Sequence, residues 1–152
     1  MKIFWLYSGQ GRIMQDMIRR GHNIIGSFSD TSEKNNTKLS DSILEQAKQA
    51  DLICCTFNRL LEGRLLDEFR WRILNFHPAL LPEFKGMNAI KRTLDSGCKY
   101  GGCTVHYVDK TMDGGEVVIQ AKFPVEPKGT YGLRLFRIGC DIMDYAINHI
   151  AA

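Results

Sequence analysis

Asn75 and His77 stand two residues apart in the stretch Asn75-Phe76-His77-Pro78-Ala79-Leu80-Leu81-Pro82-Glu83-Phe84-Lys85-Gly86. One carries an amide that donates hydrogen bonds; the other carries an imidazole that titrates near neutral pH. In an extended segment residues two apart project to the same side, so both groups can face one pocket. Pro78 and Pro82 keep a helix from starting at once and stiffen the backbone that carries them. A third candidate, Asp113, lies in Met112-Asp113-Gly114-Gly115, 36 residues beyond His77. Its carboxylate can accept a hydrogen bond from His77, fix the tautomer and raise the basicity of the ring. Asp-Gly is equally a turn pair in its own right, and only a fold can bring the two residues together.

The other histidines have plainer settings. His22 follows a helix end and His149 stands near the terminus, so both are read as solvated. His106 alternates within a strand and reads as a packed or edge residue, which leaves His77 as the catalytic candidate. The five cysteines, Cys54, Cys55, Cys98, Cys103 and Cys140, are odd in number and form no Cys-x-x-Cys. They point to neither a disulfide framework nor a zinc site, so no metal is expected and a reducing cytoplasm is the natural setting.

The elements that must position these groups read as alternating strands and helices. Lys2 to Tyr7 is a short apolar strand, and Ser8-Gly9-Gln10-Gly11 turns it into a helix over Arg12 to Arg20 with Ile13, Met14, Met17 and Ile18 on its apolar face. Strand, glycine turn and helix open a nucleotide-binding-type unit, and the N–H groups of the turn favour an anion. With two glycines only, the turn is equally a tight connection. Asn23 to Phe28 reads as a second strand, Ser29 to Ser40 as a polar loop, and Asp41 to Ala50 as a helix with Glu45 in a capping box on Ser42. Asp51 to Phe57 is an apolar and therefore central strand. Arg59 to Phe69 is read as partly helical, and Trp71 to Leu74 as a buried strand with Asn75 and His77 at its carboxyl end, the edge where open α/β sheets hold ligands. Met87 to Ser96 fits a helix, Cys103 to Val108 and Glu116 to Phe123 an antiparallel hairpin around the polar loop 109–115, and Tyr131 to Ile150 a helix packed on the sheet.

The length of 152 residues suits one domain, residues 1–152. A hydrophobic share of 44% with 24% charged residues is that of an ordinary globular protein, and a net charge of +3 is too mild to argue for nucleic acid. No apolar run approaches the length of a membrane span, and the start is too short for a signal peptide. The apolar last helix offers a surface for a homodimer.

Asn75-x-His77-Pro-x-Leu80-Leu81-Pro82, then Gly102-x-Thr104-Val105-His106, then Met112-Asp113-Gly114-Gly115 resembles the folate-dependent formyltransferase family. The match covers most of the chain from Asp51 onward, and the start through Gln15 is similar too. The resemblance implies an α/β, Rossmann-like formyltransferase fold: a mostly parallel sheet flanked by helices, with a C-terminal antiparallel hairpin and packing helix. It implies transfer of a formyl group from 10-formyltetrahydrofolate to a small-molecule primary amine. Asn75 would then hold the formyl oxygen, His77 would move protons and Asp113 would orient His77. Phe57, Asn58, Arg59, Leu60, Leu61, Ile73, Val108 and Met112 would enclose the folate. Ser8, Gly9, Gln10, Gly11, Arg12, Lys85, Gly86 and Asn88 would face the acceptor, and Leu81-Pro82 is a candidate cis bond.

Between the first helix and the Asp51 strand the chain is shorter than typical members, as if one strand-helix unit were absent. Arg12, Ile13 and Gly139 stand where glycinamide ribonucleotide enzymes of the family contact their substrate with other residue types. The segments 84–89 and 104–108 look closest to the sugar N-formyltransferases, although those commonly carry an aromatic residue where Arg92 stands. The resemblance therefore leads to an amino sugar as acceptor. The alternatives are a glycinamide ribonucleotide formyltransferase-like enzyme, or a shortened folate- or nucleotide-binding relative without turnover.

Overall fold

The computed structural model describes residues 1–30 and 33–152. Six strands form one sheet: β1 (Ile3–Tyr7), β2 (Ile24–Ser29), β3 (Leu52–Thr56), β4 (Ile73–His77), β5 (Tyr100–Tyr107) and β6 (Val117–Pro124), in the spatial order β2-β1-β3-β4-β5-β6. The pairs β1–β2, β1–β3 and β3–β4 are parallel, whereas β4–β5 and β5–β6 are antiparallel. The sheet is thus mostly parallel at one side and ends in an antiparallel meander, as a Rossmann-like formyltransferase fold requires.

Central strands of such a sheet are covered on both faces, and the alternation along β1 shows how the covering is divided. Ile3 and Trp5 join a core with α1 (Arg12–Arg19) and α5 (Tyr131–Ala151), while Phe4 and Leu6 join a second core with α2 (Asn36–Ala47) and α3 (Arg64–Glu68). β3 divides the same way, Leu52 and Cys54 against Ile53 and Cys55. On α5 the residues Leu135, Ile142, Met143, Ala146 and Ile147 are buried, at the helical intervals read from the sequence. α4 (Ala89–Asp95) and a single 3-10 turn at 128–130 complete the elements.

Several boundaries differ from expectation. The helix expected over Asp41 to Ala50 starts at Asn36, because the Asn35 side chain accepts from the Lys38 N–H and caps it; no capping box at Ser42 is formed. Much of the expected loop 29–40 is therefore helix or strand end, and its residues 31 and 32 lie outside the described ones. Trp71 is not in a strand: it takes a left-handed φ of 62° and is 53% exposed, its ring edge-on to Tyr107. β4 begins two residues later and runs through His77 itself. Ile18 points to solvent rather than into the core, and α3 occupies only part of 59–69. Among the described residues no helix is long and apolar enough to cross a membrane.

Candidate active site

β4 ends at the sheet edge with Asn75 and His77 on one side, and its antiparallel neighbour β5 decides what stands opposite them. The register pairs Asn75 with His106 and His77 with Thr104. Cross-strand partners in an antiparallel pair approach closely, so the Asn75 amide Nδ2 lies 3.3 Å from His106 Nε2. The other ring nitrogen, His106 Nδ1, lies 2.9 Å from the Tyr107 carbonyl oxygen, to which it can only donate. Nε2 of the neutral ring then has a free lone pair, and one Asn75 N–H donates into it. The second Asn75 N–H has no such partner among the described residues, and Asn75 lines the cavity of the site. Burial is the main influence holding the His106 pKa below its usual value, which keeps the ring in this accepting form. The sequence reads His106 as a packed or edge residue; β5 lies between β4 and β6, and His106 is packed, at 2% exposure, against the site. Its alternation within a strand held no sign of the β4–β5 register that brings it there.

Thr104 does for the proline loop what His106 does for Asn75. Its buried hydroxyl donates to the Ala79 carbonyl at 2.7 Å and accepts from the Leu81 N–H at 3.2 Å and the Gln120 side-chain amide at 3.0 Å. The loop after His77 is thereby tied to the hairpin, and Leu81-Pro82 within it is cis.

His77 is nearly buried and oriented through both nitrogens. Nε2 lies 2.8 Å from the Phe84 carbonyl and donates to it, so Nδ1 is the basic nitrogen of the neutral ring. Nδ1 faces Asp113 Oδ2 at 3.5 Å, and Asp113 Oδ1 stands 3.7 Å from His106 Nε2. Oδ2 also accepts from the Gly86 N–H at 2.7 Å. The gap between carboxylate and imidazole is wider than an ordinary hydrogen bond and short enough for an ion pair once the ring is protonated. The predicted convergence of Asn75, His77 and Asp113 is present.

Three of the four non-glycine residues with left-handed backbone among those described surround these groups: Phe84, Asn88 and Asp113, with φ of 53°, 59° and 50°. Each costs about 1–2 kcal/mol for an L-residue, less for Asn and Asp, so local sterics do not choose this conformation. Gly115 is needed behind Asp113, since a Cβ there would overlap the Tyr107 carbonyl. Asp109 closes the same loop by accepting from the Thr111 hydroxyl and N–H, which hold its pKa below the usual carboxylate value.

A cavity of about 620 Å³ opens on the three groups, within the range of small-molecule sites. Ser8, Gln10, Gly11, Arg12, Phe57, Asn58, Arg59, Leu60, Gly86, Asn88 and Met112 line it, as expected. Ser8 Oγ accepts from the Asn58 N–H at 3.0 Å and so joins the β1 and β3 turns into one wall. Leu61 and Val108 line a smaller adjoining recess, which Phe57, Leu60 and His106 share. Three expected residues fall elsewhere. Ile73 is 1% exposed and belongs to the core between sheet and α2: it shares the face of Asn75 but lies two residues further back along β4, within that core rather than at the cavity. Gly9 makes the turn from β1 and Lys85 projects to solvent, and neither lines the cavity.

The sequence reading missed the α5 wall: Gly132, Leu135 and Phe136, with Phe76 and Ile13, line the end of the cavity away from the recess. Arg12 is stacked over Phe136, 4.5 Å from the ring centroid. Phe76 packs against Gly139, where a Cβ would come 2.8 Å from its ring. The expectation that His22 is solvated also fails; its Nε2 is 2.6 Å from Asp144 Oδ1, within a cluster where Arg20 bonds Asp16 of α1 and Asp141 of α5. Among the described residues, no three His, Cys, Asp or Glu side chains are grouped to hold a metal ion.

Comparison with known proteins gives one consistent result. The profile of the family described as formyl transferase matches residues 27–133. A phosphoribosylglycinamide formyltransferase of Haemophilus influenzae is 37% identical over 97 residues, which is 62% of this chain and 46% of that protein. The trifunctional purine biosynthetic protein adenosine-3 of Drosophila melanogaster is 42% identical over 83 residues, 54% of this chain and 6% of that protein. The matched segments thus span about half or less of these relatives' own length. Among solved structures, glycinamide ribonucleotide transformylase 1 of Symbiobacterium toebii superposes with a TM-score of 0.86 at 29% identity, over 97% of this chain and 85% of that one. Phosphoribosylglycinamide formyltransferase of Bacillus halodurans shares the fold, with a TM-score of 0.90 at 21% identity over 100% of this chain and 96% of that one. The stretch between α1 and β3, which the sequence reads as short by one strand-helix unit, carries β2 and α2 among the described residues. By its matched residues, its sheet order and its shape, the chain belongs to the formyl transferase family.

Proposed function

We propose that residues 1–152 act as one catalytic unit that transfers the formyl group of 10-formyltetrahydrofolate to the primary amine of a phosphoribosylglycinamide-like acceptor. The observation that carries this reading is the arrangement of three groups about one cavity: the free N–H of Asn75, the basic Nδ1 of His77 and the carboxylate of Asp113. The relatives' names favour this acceptor over the amino sugar to which segments 84–89 and 104–108 led.

In this reading the acceptor amine attacks the formyl carbon, and the carbonyl electron pair moves to oxygen. The free Asn75 N–H donates to that oxygen as charge grows on it. The nitrogen that has attacked is cationic and must lose a proton, while the folate nitrogen must gain one to leave. His77 Nδ1 takes the first proton and returns it for the second, and Asp113 stabilises the imidazolium between the two events. The carbonyl re-forms as the carbon–nitrogen bond to folate breaks. No covalent bond to the protein is needed, because an uncharged amine is already a nucleophile. Holding both reactants in one cavity provides the remaining advantage.

The folate would lie against the apolar groups of Phe57, Leu60 and Met112 and reach into the recess beside Leu61 and Val108. The acceptor would occupy the end bounded by Arg12, Phe76 and Phe136. The free state of all five cysteines suits a reducing cytoplasm.

Mixing the protein with 10-formyltetrahydrofolate and phosphoribosylglycinamide, and following folate absorbance together with the mass of the acceptor, tests the proposal. A mass gain of one formyl group on the acceptor, absent in Asn75→Ala and His77→Ala, is the expected result. Folate release without acceptor would mean hydrolysis, and turnover of an amino sugar but not of phosphoribosylglycinamide would overturn the acceptor assignment.

A further inference from the structure

The segment 84–88 holds both partners of the proton-moving pair. The Phe84 carbonyl receives His77 Nε2–H, and the Gly86 N–H donates to Asp113. Yet Phe84 and Asn88 sit in left-handed backbone within this short segment, a shape the chain does not adopt unaided. One side chain outside the segment holds it together. Arg92, in α4, donates from Nε to the Met87 carbonyl at 3.0 Å and from Nη2 to the Phe84 carbonyl at 3.2 Å and to the Lys85 carbonyl. Its guanidinium also lies 5.8 Å from the centre of the Phe84 ring.

We propose that Arg92 is a positioning residue: a guanidinium latch that holds 84–88 in the shape in which Phe84 orients His77 and Gly86 orients Asp113. The inference rests on the formyl-transfer reading of the site but has a readout of its own. The residue type matters. A planar fork of five donors can span three carbonyls at once, whereas an ammonium is a single flexible point. The Phe84 carbonyl is the junction, since it accepts from Arg92 and from His77 together. Without the latch the segment relaxes from its left-handed turns, His77 Nε2 loses its fixed acceptor and the ring is free to exchange tautomers. Arg92 lines neither lobe of the cavity, and Phe57, Leu60, Leu61, Val108 and Met112 lie outside 84–88, so its loss leaves the folate side in place while Gly86 and Asn88 shift with the segment.

The test compares Arg92→Ala and Arg92→Lys with the wild type, using the complete chain. In Arg92→Ala, kcat falls on the order of 10- to 100-fold, the scale of a modest misplacement of reacting groups, while KM for folate stays within about twofold. Arg92→Lys recovers part of kcat. Proton–nitrogen correlation spectra of His77, assigned with His77→Asn, show one protonated and one bare ring nitrogen in the wild type and an averaged pattern in Arg92→Ala. An unchanged His77 pattern, an unchanged kcat, or a loss of kcat explained by a fall in Tm would overturn the latch. If the wild type transfers no formyl group, the functional proposal fails, and the His77 pattern alone decides this one.

Discussion

Replacing His106 separates its effect on Asn75 from ordinary core damage. His106→Leu keeps an apolar side chain at a position only 2% exposed but removes the nitrogen that accepts from Asn75 at 3.3 Å. Two neutral hydrogen bonds are lost, and only the one from Asn75 aims the amide; at about 0.5–1.5 kcal/mol net it is worth about 2- to 13-fold in rate, while the one to the Tyr107 carbonyl registers in Tm. Removing the amide itself in Asn75→Ala should cost about 10²- to 10³-fold, the usual scale for an oxyanion donor. His106→Gln places an acceptor near the position of Nε2 and should restore most of the rate. The decisive assay is the double-substitution cycle on kcat, with Tm recorded for each variant. In the Asn75→Ala background, His106→Leu should change kcat by less than about twofold, because no amide remains to be aimed. An undiminished effect of His106→Leu in that background would refute the reasoning, and so would an undisturbed rate in the single variant.

Three further outcomes follow from the same geometry. Gly139→Ala drives a methyl group to 2.8 Å from the Phe76 ring; overpacking of about 1–3 kcal/mol exceeds the helix gain of about 0.5–1 kcal/mol, so urea unfolding should show a net loss of stability. Since Phe76 stands between Asn75 and His77, kcat should fall with it, and a stabilised, fully active variant would contradict this. Iodoacetamide should label native protein at the half-buried Cys98 alone, because Cys54, Cys55, Cys103 and Cys140 are buried and burial pushes the Cys103 and Cys140 thiols up to about 12. Intact-mass measurement should find one adduct before denaturation. For the pH dependence, folded His106 binds its proton at lower pH than the unfolded residue, near 6.5. The unfolded state therefore carries more protons as pH falls through 6.5, and stability declines with falling pH in that window. His106→Leu should flatten the decline measured by denaturant titration between pH 7 and 5.

Period and punctuation in the sequence were sufficient for the order of elements. Alternating apolar strands, glycine turns and the spaced apolar positions of α5 are local patterns, and each reports which face of its own element is buried. The resemblance of the Asn-x-His-Pro loop and the Asp-Gly-Gly turn to one family likewise pointed to Asn75, His77 and Asp113. The start of α2 was hidden because Asn35 caps a helix through its own side chain inside a stretch as polar as any loop. His106, Phe76 with Gly139, and Arg92 belong to another class. Their importance comes from which strand lies beside which and which helix faces which turn: His106 from the β4–β5 register, Gly139 from the approach of α5, and Arg92 from three carbonyls that only the folded 84–88 segment turns toward it. Neighbourhoods of that kind are set by the joint packing of distant segments, so residue types and spacing alone do not encode them in a readable form; the tertiary structure decided them.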